Sequence, residues 1–128
     1  MEERKEDIAK ILEYEQRMLE HSYYLIRMAP PFSLDIKVAI ESFLIHVRNI
    51  YDFLCEDKTK QDDDLDFIDC DQTPTTITLP EKNSKVEINK FLAHITRKRL
   101  EQTPNWEVDK IFDVVSTKLR EFLNSLHQ

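Results

Sequence analysis

The 128-residue chain contains no glycine. Glycine supplies the positive-φ positions of tight hairpins and helix C-caps, and lets loops approach phosphates closely. Its absence argues against a β-rich fold and excludes a P-loop or a Gly-x-Ser-x-Gly nucleophile elbow. Cysteine is almost as scarce. Cys55 and Cys70 are the only two and form no Cys-x-x-Cys pair. Two reduced thiols in a cytoplasmic protein are the ordinary expectation, with a bridge between them left open. No apolar run approaches the roughly 20 residues of a membrane-spanning helix. The N-terminal MEERKEDIAK is charged from its first residues and has no apolar segment of a secretory signal. The chain is therefore expected in the cytoplasm, without a membrane partner. His-Glu-x-x-His and Glu-x-x-His are missing too, which disfavours a zincin and a ferritin-like di-iron centre. No metal or other cofactor is expected. Asp62-Asp63-Asp64 reads as solvated charge, because an EF-hand would need glycine and a different ligand spacing.

What is present is charge and amphipathic periodicity. The net charge is −7, which is unfavourable for DNA. It is also localised: residues 56–71 hold eight acids against Lys58 and Lys60, a local −6 that leaves only −1 for the remainder. A basic surface on the rest of the chain stays compatible with that total. At this length one domain with its own core is expected over residues 1–128. Hydrophobic (41%) and charged (34%) fractions are those of packed amphipathic helices.

The most apolar helical stretch is Ser33 to Glu56. Ile36, Ile40, Phe43, Val47, Ile50 and Leu54 recur at spacings of 4, 3, 4, 3 and 4, one stripe of an α-helix. Ile45 and Phe53 project from other sides, so the helix is expected to be surrounded by the rest of the chain. Ser33 is the expected N-cap. A first helix is expected over about residues 3–28, ended by Pro30 and Pro31. In it Ile8, Ile11, Met18, Leu25 and Ala29 keep a seven-residue register, widened by Leu12, Leu19 and Ile26. Glu15 and Ser22 interrupt it, either as polar groups at the edge of the core or as groups facing a cleft.

Residues 57–82 read as a long acidic connection, with Leu65, Phe67 and Ile68 expected against the bundle and Ile77-Thr78-Leu79 able to extend. A third helix is expected over about residues 84–102, with Ser84 and Glu87 in a capping-box pattern and Ile88, Leu92 and Ile95 inside. A fourth starts near Trp106 and repeats Val108, Phe112, Val115, Leu119, Phe122 and Leu126. The fold class is all-α, an up-down four-helix bundle with one long acidic loop between the second and third helices.

The chemistry-bearing candidates lie on these helices. Ile88-Asn89-Lys90-Phe91-Leu92-Ala93-His94 carries Asn89 and His94 with four residues between them. This resembles the HEPN motif of Arg-Asn, a short spacer and His. The resemblance implies a small helical bundle. Many members are metal-independent ribonucleases of toxin–antitoxin and phage-defence systems, with an active site assembled across a dimer. Ile88 stands where the family has its phosphate-holding Arg. Phe43 to Phe53, with its own Arg48-Asn49 pair, together with Ile88 to His94 and Thr96, is also similar to a set of uncharacterised microbial helical proteins.

For an RNA-acting site, Arg48, Asn89 and His94 are the catalytic candidates. His94 would move protons near neutral pH, and Arg48 would supply the guanidinium if it converges with the other two. Lys90, Arg97 and Lys98 would add positive charge. The plainer readings are that Arg48 pairs with Asp52 one turn away, that His94 lies at a surface, and that His46 is packed with one ring nitrogen hydrogen-bonded. Three functions stay open: an RNA-acting HEPN-like bundle, a non-enzymatic homodimer or partner-binding bundle, and a small-ligand or metal site drawing on Glu15, His46, Asp52 and His94.

Overall fold

The computed structural model describes residues 2–55, 72–93 and 106–127, with side chains from Arg4 onward. Among these residues there are four α-helices: α1 Glu2–Met28, α2 Leu34–Cys55, α3 Lys85–Ala93 and α4 Val108–Leu126. A 3₁₀ turn, Glu81–Asn83, precedes α3. The expectations for Leu65, Phe67, Ile68, Cys70, His94, Ile95, Arg97 and Lys98 lie outside the described residues.

The starts of α2 and α3 use the same device. Ser33 Oγ accepts from the Ile36 amide at 3.2 Å, and Ser84 Oγ accepts from the Glu87 amide at 3.3 Å. Each hydroxyl thus satisfies an amide of the first turn that has no partner inside its helix. Ser33 Oγ also donates to the Pro30 carbonyl at 2.6 Å, which closes the turn after α1. That turn needs one left-handed residue, and with no glycine available Phe32 takes it at φ 65°.

α2 is the centre of the molecule, touching α1, α3 and α4. Its six stripe residues are all buried, and Phe53 is buried as well, its ring set edge-on to Phe122 at 5.6 Å. Phe53 is inside because α4 covers that flank of α2. Ile45 is half-buried.

Side-chain pairs fix the helix directions. Ser22 meets Ser42 while Glu15 meets His46 and Asn49, so α1 and α2 run antiparallel. Asp109 at the start of α4 meets Arg27, and His127 just beyond its end meets Glu13, so α4 opposes α1 as well. Between α2 and α3, residues 72–80 form no regular element, but alternate residues turn inward. Ile77 is buried and Thr75 and Leu79 are half-buried, while Thr76 and Thr78 are exposed. The Thr75 amide donates to the Leu54 carbonyl at 2.8 Å, tying this strap to the end of α2.

α1 departs from the sequence expectation. Its inward row is Ile8, Leu12, Glu15, Leu19 and Ser22, continued by half-buried Ile26 and Ala29. Ile11 and Leu25, expected inside, are 50% and 41% exposed, and Met18 is only half-buried. Two rows of equal 3–4 spacing run along this helix, and the one with two polar members is the one that packs. The cause is on α2, where those polar members find partners.

Left-handed backbone in a non-glycine residue costs on the order of 1–2 kcal/mol. Because the Phe32 side chain is 70% exposed, Phe32→Asn is expected to stabilise the fold by roughly 0.5–1 kcal/mol through relief of that strain. An increase in the urea midpoint at unchanged slope is the readout. A decrease would show that the Phe32 ring contributes more than its backbone costs.

Candidate functional site

Two groups of polar side chains in this bundle are built rather than scattered. The first lies between α1 and α2. His46 Nδ1 meets Glu15 Oε2 at 2.5 Å, and Asn49 Nδ2 donates to Glu15 Oε1 at 2.7 Å. His46 and Asn49 are three apart on α2, so they present one edge of that helix to a single carboxylate on α1. Glu15 and His46 are both buried, and the Tyr14 ring stands edge-on to the imidazole at 6.3 Å. Two turns along, the hydroxyls of Ser22 and Ser42 share a hydrogen bond of 2.8 Å. Both carboxylate oxygens of Glu15 are engaged, and neither Glu15 nor His46 lines either of the two surface hollows described below. The arrangement holds two helices in register, with Asn49 at its solvent edge.

The second group joins α1 to α4. Tyr23 donates to Asp109 Oδ1 at 2.5 Å, and Arg27 Nη1 donates to the same oxygen at 3.0 Å. The Tyr23 ring lies flat on Phe112 with centroids 4.1 Å apart. The hydrogen bond to Asp109, and next to it burial, hold the Tyr23 phenol above its ordinary value. Beside this group a hollow of about 610 Å³ opens among Ile26, Ile36, Trp106 and Val108, with Arg27 and Asp109 on its rim. Trp106 is half-buried and stands edge-on to Phe91 at 5.4 Å, so it closes the gap between α3 and the start of α4. A shallower hollow of about 580 Å³ lies on the outer side of α1, around Met18.

The motif candidates are placed differently. Arg48 is half-buried on the flank of α2, and Asn89 is half-buried on α3. No hydrogen bond joins these two among the described residues, and His94 is not one of those residues. Ile88 is fully buried within the hydrophobic cluster. The position at which the HEPN motif carries its Arg is thus a core position of this fold. The Asp52 carboxylate, expected to pair with Arg48, is held by Lys85 from the start of α3. Asn49, the neighbour of Arg48, is turned to Glu15. Of the four ligand candidates, Glu15 and His46 come together and Asp52 lies with Lys85. Among the described residues no three His, Cys, Asp or Glu side chains converge as a metal site.

The Glu15–Asn49 contact was missed in the sequence, although its signal was present. A carboxylate on the inward row of a helix needs a donor on the facing helix, and His46 with Asn49 is the pair on α2 that shares one edge.

No family model, no curated protein and no solved structure matches this chain. The HEPN likeness therefore rests on the motif residues alone. Among the described residues no helix is long and apolar enough to cross a membrane.

Removing one partner of a buried ionic contact strands the other. Glu15→Leu is expected to cost about 2–4 kcal/mol, because it leaves the His46 imidazole without an acceptor. Glu15→Leu with His46→Leu should recover most of that loss, since apolar groups of similar volume replace the pair. Urea unfolding of the three proteins measures it, and equal losses in the single and double variants would refute a paired role.

For Tyr23 the sign follows from a folded-state value above its ordinary 10.0. The protonated phenol contributes stability fully below about pH 10, and that contribution is lost as pH rises through the folded value. Wild-type stability should fall more steeply above pH 10 than that of Tyr23→Phe. Parallel curves for the two proteins would contradict the assignment.

Proposed function

We propose that this chain is a non-enzymatic interaction bundle that holds another protein chain on the outer face of α1 and α2. One observation carries the reading: the outward row of α1 exposes large apolar side chains on either side of half-buried Met18 and exposed His21. Ile11 and Tyr14 stand on it near one end, and Leu25 and Met28 near the other. The α1–α2 register set by Ser22–Ser42 and Glu15–His46 places Val38 of α2 beside Leu25 and Leu34 beside Met28, so the exposed surface continues across both helices. Val38 and Leu34 are 58% and 75% exposed. Scattered apolar residues on a surface need no explanation, but the cluster of Leu25, Met28, Leu34 and Val38 across two antiparallel helices is what a docking surface looks like.

A second reading is an RNA-acting HEPN-like bundle with Arg48, Asn89 and His94 at its site. What favours it is that Arg48 and Asn89 both lie partly open to solvent, on helices that pack together. Against it stands Ile88, because its place in the core leaves a phosphate without the motif's guanidinium.

Incubation of the pure full-length chain with tRNA and total RNA separates the two. The docking reading expects no cleavage above buffer, and any low-salt binding lost at physiological ionic strength. Cleavage that disappears in a His94→Ala variant would overturn it in favour of the RNA reading.

A further inference from the structure

We infer that the occupant of the α1/α2 outer face is a second copy of this chain, related by a two-fold axis. This rests on the docking reading above and names its partner. The area is the first argument. The exposed side chains of this face, all 41% exposed or more, together offer roughly 600–750 Å². A stable interface takes roughly 800 Å² from each partner, and the largest apolar patch of an ordinary monomer is about 300–600 Å². Two such faces come to roughly 1,200–1,500 Å², the lower part of the standard range for a stable interface, and one face is at or above the upper end of what a solitary chain leaves open.

Shape and charge choose the copy over a different partner. Two antiparallel helices presenting one apolar surface are self-complementary under a two-fold rotation, which stacks hairpin on hairpin and closes a second four-helix layer. The shallow hollow around Met18, flanked by Tyr14 and Tyr24, lies midway along the α1 row and can receive the same side chains from a copy. Along the outer edge of that row Lys10 and Arg17 alternate with Glu13 and Glu20. An edge of mixed sign does not repel its own copy, whereas a strongly charged partner would call for an edge of one sign.

The chemistry of association is apolar burial, so its test is the introduction of charge. Leu25→Glu and Val38→Glu place two neighbouring carboxylates in the contact, one from each helix, twice per dimer. The fold of the single chain is not expected to change, since both positions are exposed in it. Val86, which is 61% exposed on α3 and away from this face, provides the control as Val86→Glu.

Sedimentation equilibrium of the full chain from low to high micromolar concentration, with helicity checked by circular dichroism, is the experiment. The wild type is expected at twice the 15.3 kDa of one chain. Leu25→Glu with Val38→Glu is expected to weaken association on the order of a thousandfold or more. Val86→Glu is expected to leave it unchanged. The wild-type result decides the oligomeric state without any variant. A wild-type dimer broken by Val86→Glu but not by the pair of changes would overturn the assignment of the face. A monomer that binds 8-anilinonaphthalene-1-sulfonate, with binding lost in the double variant, would overturn the second copy and leave the docking reading standing. A monomer that does not bind the dye would overturn both.

Discussion

The contact between Glu15 and the His46–Asn49 pair decides which side of α1 faces inward, and most of the molecule's surface follows from it. α1 carries two rows of equivalent spacing, about 100° apart on the helix. The row through Ile11, Tyr14, Met18, Leu25 and Met28, with only His21 strongly polar, is also a candidate for the core. It is not the row that packs. A buried carboxylate would carry a heavy desolvation cost without donors, and α2 supplies two. Ser42 does the same for Ser22. The polar seam thus selects the inward row and, by exclusion, turns the row of Ile11, Leu25 and Met28 outward.

Such a seam adds little net stability over an apolar contact of the same size. What it adds is register. With only leucines and isoleucines between α1 and α2, rotation of α1 to bury its other row would lower the exposed apolar area and compete with the native packing. Hydrogen bonds at Glu15 and Ser22, two turns apart, penalise that alternative at both places. The central position of α2 makes this effective, because the same helix is pinned on its other sides by Phe53 against Phe122 and by Asp52 against Lys85. A surface that is apolar yet held outward by a specified core is a different object from a misfolded patch. It supports a docking role for this chain.

How much was legible beforehand depends on how local the deciding interaction is. The stripes of α2 and α4 were readable because each helix has one dominant apolar row, and every member of the α2 row is buried. The caps at Ser33 and Ser84 were readable because the hydroxyl and the amide it serves are three residues apart. The inward row of α1 was legible in part: Ile8, Leu12, Leu19, Ile26 and Ala29 stood in its apolar stripe. The exposure of Ile11 and Leu25 was not readable, since the partners of Glu15 lie 31 and 34 residues away on α2. Asp52 shows the same limit: the local candidate Arg48 is one turn away, but the carboxylate goes to Lys85, 33 positions on. The candidate site divides along the same line. Packing of His46 with one ring nitrogen engaged was foreseen, while its partner was only named among possible ligands. A short motif says which residue types stand in sequence, but only the fold shows that Ile88 belongs to the core.

The central claim is that α1 turns the row bearing Glu15 and Ser22 inward and the row of Ile11, Leu25 and Met28 outward. Hydroxyl-radical footprinting of the full chain, at a concentration low enough to keep it monomeric, reads this residue by residue. The account predicts fast oxidation of Tyr24, Leu25 and Met28, with Leu12 and Leu19 protected. Protection of Leu25 and Met28 in dilute protein, with Leu12 and Leu19 reactive, would contradict it.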